Sequence, residues 1–289
     1  MSFSELNPAV YTLYFLAVVT PSMFSGNPVI STISLLFSFL YSLTFRQDGK
    51  RYAFYLAFFV VYAAVNPIIS HNGKTVLFFA NDTPITLEAA LYGLFAAVMI
   101  IAVLLWFSSF SRVMTSDRLL YVTGRLSPKL SLVISMAIRF IPLFGRRRAE
   151  ARDAARTQGY YLDGNIIDTI RCELHVFSVL VTWSLENGIR TSDSMEARGF
   201  GVCRRTSSVR FDFRKSDVAA LIFTAALTLP TAAALASGEL DFSFYPEISY
   251  AALSPISTAA YISYAALAAA PCVCEILWRL KWRYLTSKI

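Results

Sequence analysis

Six stretches of this chain are apolar over roughly the 17–25 residues that a helix needs to cross a bilayer, and short polar breaks separate most of them. The first, from about Pro8 to Phe24, contains Pro21 and is closed by the turn signal Ser25-Gly26-Asn27-Pro28. The second ends near Phe45, against Arg46-Gln47-Asp48-Gly49-Lys50-Arg51. The third runs from about Tyr52 to Ile69, and a polar loop with His71, Asn72, Asn81, Asp82 and Pro84 leads to the fourth, about Thr86 to Phe107. The last two cover about Asp217–Ala236 and Tyr250–Leu277. In hydrocarbon every backbone N–H and C=O must be paired within the spanning segment, and a helix does this. The expected fold is therefore all-α, a polytopic membrane protein with about six transmembrane helices. Composition agrees. Hydrophobic residues make up 56% and charged residues 16% of 289 positions, against about 45–50% and 25% in soluble domains.

The charge pattern orients the spans. Net charge is +7, from 26 Lys+Arg against 19 Asp+Glu. With both termini inside, six spans put Arg46–Arg51, the whole of Ser108–Lys215 and the tail Arg279-Leu280-Lys281-Trp282-Arg283 on one side. That side holds every Lys and Arg except Lys74, as the positive-inside rule requires. The outer loop Ser237–Ser249 carries Glu239, Asp241 and Glu247 and no basic residue. The expected location is the cell membrane, multi-pass, with N- and C-termini cytoplasmic. A basic balance explained by orientation gives no reason to expect nucleic acid as a partner. Cys172, Cys203, Cys272 and Cys274 form neither a disulfide framework nor a zinc pattern, and no metal or cofactor is expected. No cleavable signal peptide is expected either, because the N-terminus lacks a basic n-region and an A-x-A site.

Between residues 108 and 215 charges become dense, and no stretch there reads as both long and apolar enough to cross. The chain thus divides into spans 1–4 (residues 1–107), a cytoplasmic helical region (108–215), and spans 5–6 with a basic tail (216–289). Two helical arms are expected between Pro142 and Gly199. The first, Gly145–Arg156, is rich in Ala, Arg and Glu, with Gly159 as a stop and Asp163-Gly164-Asn165 as the following turn. The second runs from about Ile166 to Arg198. Its apolar stripe Leu174, Phe177, Val181, Leu185, Ile189 suits a helix lying on the underside of a membrane domain, with Arg171, Glu173, Glu186 and Arg190 facing water. It closes with Ala197-Arg198-Gly199. An arginine there has two readings: capping of the helix dipole, at about 0.3–1 kcal/mol, or entry of a narrow, Arg-bearing tip into a groove on another protein.

Ser194–Gly201, taken with Met136-Ala137-Ile138-Arg139-Phe140-Ile141-Pro142 and the Arg-rich arm after it, resembles the transmembrane T component of energy-coupling factor (ECF) transporters. That group includes the membrane subunits of cobalt, biotin and general vitamin uptake systems. The resemblance extends over most of the chain, including Asn27-Pro28 and Thr83-Pro84-Ile85-Thr86, and is most specific from Met136 to Gly201. It implies two long cytoplasmic coupling helices, each ending in an Ala-Arg-Gly-like tripeptide whose arginine docks in one of two ATP-binding cassette ATPase subunits. Ala197-Arg198-Gly199 matches the second tripeptide in full. The first aligns with Thr157-Gln158-Gly159, where only the glycine is kept. The implied function is a non-catalytic coupling subunit that passes ATPase motion to a separate substrate-binding S component in the membrane.

Two other classes fit the composition. A membrane enzyme at the cytoplasmic interface would need a site, but His71 and His175 are the only histidines, and Asp153, Asp163 and Asp168 alternate with arginines. A conventional ABC permease would need a polar path, whereas ionisable residues sit at span ends, such as Glu88 and Glu275.

Overall fold

The computed structural model describes residues 3–44, 49–70, 73, 75–80, 83–160, 166–202, 211–245, 249–250 and 254–286. Nine helices, α1 to α9, are formed by these residues. In order they are α1 Pro8–Phe24, α2 Pro28–Thr44, α3 Gly49–Ile69, α4 Leu87–Val113, α5 Ser116–Leu126, α6 Pro128–Thr157, α7 Ile166–Ala197, α8 Lys215–Ala236 and α9 Pro255–Thr286. Each stretch read as a span contains a helix, the last of them starting at Pro255 and not at Tyr250, which lies in a strand. Four of those six are long and apolar enough to cross a membrane, while α1 and α2 are shorter apolar helices of 17 residues each. The chain is an all-α, multi-pass membrane protein.

α1 and α2 begin alike. Asn7 and Asn27 cap them, their side-chain oxygens accepting from the N–H of Ala9 (3.1 Å) and Val29 (2.9 Å), and Pro8 and Pro28 follow at the first helical position. Both caps also tie the start of the chain to its end. The Asn7 N–H donates to Asp217 Oδ1 at 3.0 Å, and its amide nitrogen donates to the Phe211 carbonyl at 3.3 Å. Asn27 Nδ2 donates to the Leu240 carbonyl (3.1 Å) and Tyr261 Oη (2.8 Å). Residues 1–115 and 211–289 accordingly form one compact unit, and Ser116–Arg210 form a second.

The first unit is built around aromatic side chains. Tyr11, Tyr14, Phe15, Tyr41 and Trp106 are almost fully buried with Val18 and Leu267. The polar tips of Tyr14, Trp106 and the nearby buried Tyr264 find partners across helices, as burial in an apolar medium demands. Tyr14 Oη donates to the Leu267 carbonyl (2.6 Å), Trp106 Nε1 to Ser34 Oγ (3.0 Å) and Tyr264 Oη to the Val18 carbonyl (3.1 Å). The buried face of α2 is Ile30, Ser31, Ser34, Ser38, Tyr41 and Ser42. Small hydroxyl residues on that face let neighbouring helices approach closely, the packing mode of helices in lipid. By contrast α3 buries no residue and exposes Phe54, Leu56, Phe58, Val60 and Val61, a surface that calls for hydrocarbon. It meets α4 at Gly93, where a Cβ would lie 2.9 Å from Asn66 Cβ and 3.0 Å from the Ala63 carbonyl.

Two expectations are corrected. Part of the loop read as polar is a hairpin: β1 Val76–Ala80 pairs antiparallel with β2 Thr83–Thr86, followed by buried Glu88, whose carboxylate accepts from the Thr75 hydroxyl (2.8 Å) and N–H. A second small pair, β3 Phe242–Ser243 with β4 Ser249–Tyr250, lies between α8 and α9. The other correction concerns residues 108–215. There α6 is 30 residues long and has an apolar window that meets the length and composition of a membrane span, although none of that window is buried. The apolar run around Leu130–Leu143 and the Arg-rich run after Gly145 are one continuous helix, with Pro142 inside it. The first arm therefore starts at Pro128. α5, which precedes it, was not anticipated; Gly124 lies close to Ser131, whose hydroxyl donates to the Leu120 carbonyl (3.2 Å).

Candidate functional site

In the second unit α6 and α7 pack antiparallel. Arg148 Nη2 donates to Glu173 Oε2 at 2.9 Å, and Arg152 pairs with the same carboxylate. Farther along, Phe144 meets the Trp183 ring edge-on at 5.8 Å, and the Arg147 guanidinium lies 5.3 Å from that ring's centroid. Tyr160 stacks on His175 at 5.4 Å. Glu173 was expected to face water, but its side chain is 29% exposed and pinned between two guanidiniums. The hydrogen bond from Arg148 first, then Arg152, holds its carboxyl below the usual range.

The face of α7 that packs carries Cys172, Val176 and Trp183. The expected stripe Leu174, Phe177, Val181, Leu185, Ile189 is exposed, at 41–67% of its surface. At about 100° per residue it lies on the side of the helix opposite the packing face, and so leaves an apolar band open for another surface.

The two helix tips are built alike. At the end of α6 the Gly159 N–H donates to the Arg156 carbonyl (3.1 Å) and the Tyr160 N–H to the Ala155 carbonyl (3.1 Å). At the end of α7 the Gly199 N–H donates to the Glu196 carbonyl (2.9 Å) and the Phe200 N–H to the Met195 carbonyl (3.0 Å). Each is the paired bonding of a Schellman cap, which needs a left-handed residue just past the helix. Gly159 has φ 87° and Gly199 φ 77°, values that favour glycine. Thr157 and Ala197 are the last helical residues, and Gln158 and Arg198 occupy the same cap position. All six are exposed. The Thr157 hydroxyl donates back to the Ala154 carbonyl at 2.7 Å, so it is turned onto its own helix. The sequence pairing of the two tripeptides thus has an exact backbone counterpart in bonding and φ. The turn expected at Asp163-Gly164-Asn165 lies outside the described residues.

Antiparallel packing puts the tips at opposite ends of the pair. Arg198 lies at the level of Leu132, since both line one cleft, while Gln158 is 26 residues farther along α6. At 1.5 Å per residue the tips are roughly 40 Å apart.

Sequence reasoning missed what stands beside Arg198. A cleft of about 460 Å³ between α6 and α7 is lined by Ser135, Arg139, Asn187, Arg190, Thr191 and Arg198, among others. The one signal for it was Arg139, a charge within an otherwise apolar run. Asp153 and Asp168, considered above with Asp163 as a metal cluster, face Arg156 (3.9 Å) and Arg171 (3.8 Å) on their own helices, and Asp163 lies outside the described residues.

Over 97 residues, 33% of the chain, the sequence is 31% identical to an energy-coupling factor transporter transmembrane protein, EcfT, of Lactobacillus helveticus (strain DPC 4571). The match spans about a third of that relative's own length (35%). No family model matches the chain.

Proposed function

We propose that this chain is the membrane coupling subunit of an ATP-driven importer of the ECF type. It performs no chemistry. Two ATPase subunits bind at the Thr157-Gln158-Gly159 and Ala197-Arg198-Gly199 tips, and their movement on ATP binding and hydrolysis is passed through α6 and α7 to a separate substrate-binding S component. Its cargo class is a vitamin or metal ion, as in the systems the sequence resembles. The termini and the second unit lie on the cytoplasmic side.

The observation that carries this reading is the repeated cap. Two exposed helix ends with the same bonding, the same glycine conformation and a polar side chain at the same position stand roughly 40 Å apart on one rigid pair. A pair of like partners side by side is the simplest occupant of two like tips. The exposed stripe on α7 supports a third, apolar partner, because five large side chains left open next to a membrane protein invite a packed interface. The partial likeness to EcfT points the same way.

The test is affinity purification of the tagged chain from its native membranes in mild detergent. Two ATPase subunits and a small membrane protein should co-purify. ATPases without a third component would favour a conventional permease, and recovery of the chain alone would refute the reading.

A further inference from the structure

The cleft beside Arg198 holds a charge imbalance that a lone arginine tip does not explain. Three guanidiniums, Arg139 from α6 and Arg190 and Arg198 from α7, line one space of about 460 Å³. Among the described residues a single carboxylate pairs with them: Glu186 accepts from Arg190 at 2.6 Å. That contact is an exposed i,i+4 pair, the weakest kind of ion pair, and is readily exchanged. Among the described residues Arg139 and Arg198 form no ion pair; the Arg139 guanidinium lies 5.8 Å from the Phe140 ring centroid. At the opposite end of the hairpin each of four guanidiniums faces a carboxylate. There Arg148 and Arg152 converge on Glu173, Arg156 faces Asp153, and Arg171 faces Asp168.

Like charges gathered around one opening repel each other and are stabilised by an anion brought among them. On the coupling-subunit reading, we propose that the whole cleft, and not Arg198 alone, receives one partner ATPase, and that the occupant is an acidic segment whose carboxylates pair with Arg139 and Arg198. Planar guanidiniums match carboxylates two bonds at a time. Ser135, Asn187 and Thr191 add hydroxyl and amide groups for the remaining lone pairs. The tip next to the cleft is bare: Gly199 has nothing within 4 Å of where a Cβ would be. The guanidiniums are spread over two helices, which suits several carboxylates carried on a rigid partner backbone better than one phosphate. Arg139 and Arg190 are then anchor residues in their own right, and binding at this end depends on salt far more than binding at the Gln158 end.

The experiment uses the complex purified through the tagged chain, washed at about 0.1 and 0.5 M NaCl, with Arg139→Gln, Arg139→Lys and Arg190→Gln. Arg139→Gln should weaken ATPase retention about tenfold or more, as loss of a charge-assisted contact does. Arg139→Lys should restore part of it, and Arg190→Gln should cost less because Glu186 already competes for that side chain. Thermal melting of each variant chain freed of ATPase should match the parent. Retention unchanged in Arg139→Gln but lost in Arg198→Ala would overturn the proposal and leave the tip reading intact. Retention and melting falling together, with no rescue by lysine, would reduce Arg139 to a packing role. Loss of co-purifying phosphatidylglycerol, in native mass spectrometry, without loss of ATPase would assign the cleft to a lipid headgroup. No ATPase with the parent chain would remove the coupling reading itself.

Discussion

The two tips offer an internally controlled comparison. Their caps share bonding pattern and left-handed glycine, so removing the side chain from each isolates its chemistry from its backbone setting. Arg198→Ala removes a charge from a site where its partner would be a desolvated carboxylate, and leaving such a group unpaired costs roughly 2–5 kcal/mol. Gln158→Ala removes a neutral amide, whose hydrogen bond is worth about 0.5–1.5 kcal/mol. At about 1.4 kcal/mol per tenfold, the first change should weaken ATPase binding by roughly 30-fold to several thousandfold, the second by no more than about tenfold. Neither should alter the amount of chain in the membrane, because both residues are exposed and neither side chain closes the cap. The assay is ATPase retained on the immobilised chain as free ATPase is diluted away. Equal losses for the two variants would refute the claim that Gln158 makes the first tip electrostatically weaker. A loss of chain together with ATPase would return Arg198 to the role of a helix-end charge.

Three further outcomes are expected. Gly93→Leu should separate α3 from α4 and lower the melting temperature in detergent, because even its Cβ would fall within 3.0 Å of the Ala63 carbonyl; an unchanged melting temperature would mean α3 moves freely. Glu173 has its carboxyl held below the usual range, so its contribution is complete above that range and is lost only as pH falls through the lowered value; α6–α7 pairing, followed by Trp183 fluorescence, should be flat from neutral pH to about 5 and weaken below about 4. Cysteines placed at Glu239 and Arg156 should label from opposite sides of the membrane, and equal protection of both would break the six-span orientation.

Much of the framework was legible because membrane helices are written in length. No periodicity had to be resolved to place α3, α4 or α8, only a run of apolar residues between breaks. The tips were legible for a different reason: a glycine after a helical run has one common use, and Gly159 and Gly199 both serve it. What was hidden depended on neighbours. The first arm was read as starting at Gly145, although one helix runs from Pro128 through Arg139 and Pro142. On α7 the more hydrophobic stripe, through Leu174 and Leu185, was read as facing a membrane domain; that left the opposite Cys172–Val176–Trp183 face unread, and α6 meets it there, where Arg147, Arg148 and Arg152 find their partners. Aromatic and β-branched residues at Val76–Ala80 carried a strand signal that the polar residues on either side obscured.

The cap at Asn7 also sets a clock. Its N–H is bonded to Asp217, 210 residues later, so the first helix cannot reach its final hydrogen bonding until residue 217 has been made. At a synthesis rate of about 5–20 residues per second, that interval is on the order of 10–40 s. Until α9 follows, the Tyr14 hydroxyl lacks the Leu267 carbonyl and the Val18 carbonyl lacks the Tyr264 hydroxyl. The intervening α6–α7 hairpin, whose pairings lie within about 70 residues of one another, has time to close first. Biogenesis therefore runs from the middle outward: the hairpin closes before the helices of the first unit are all in place.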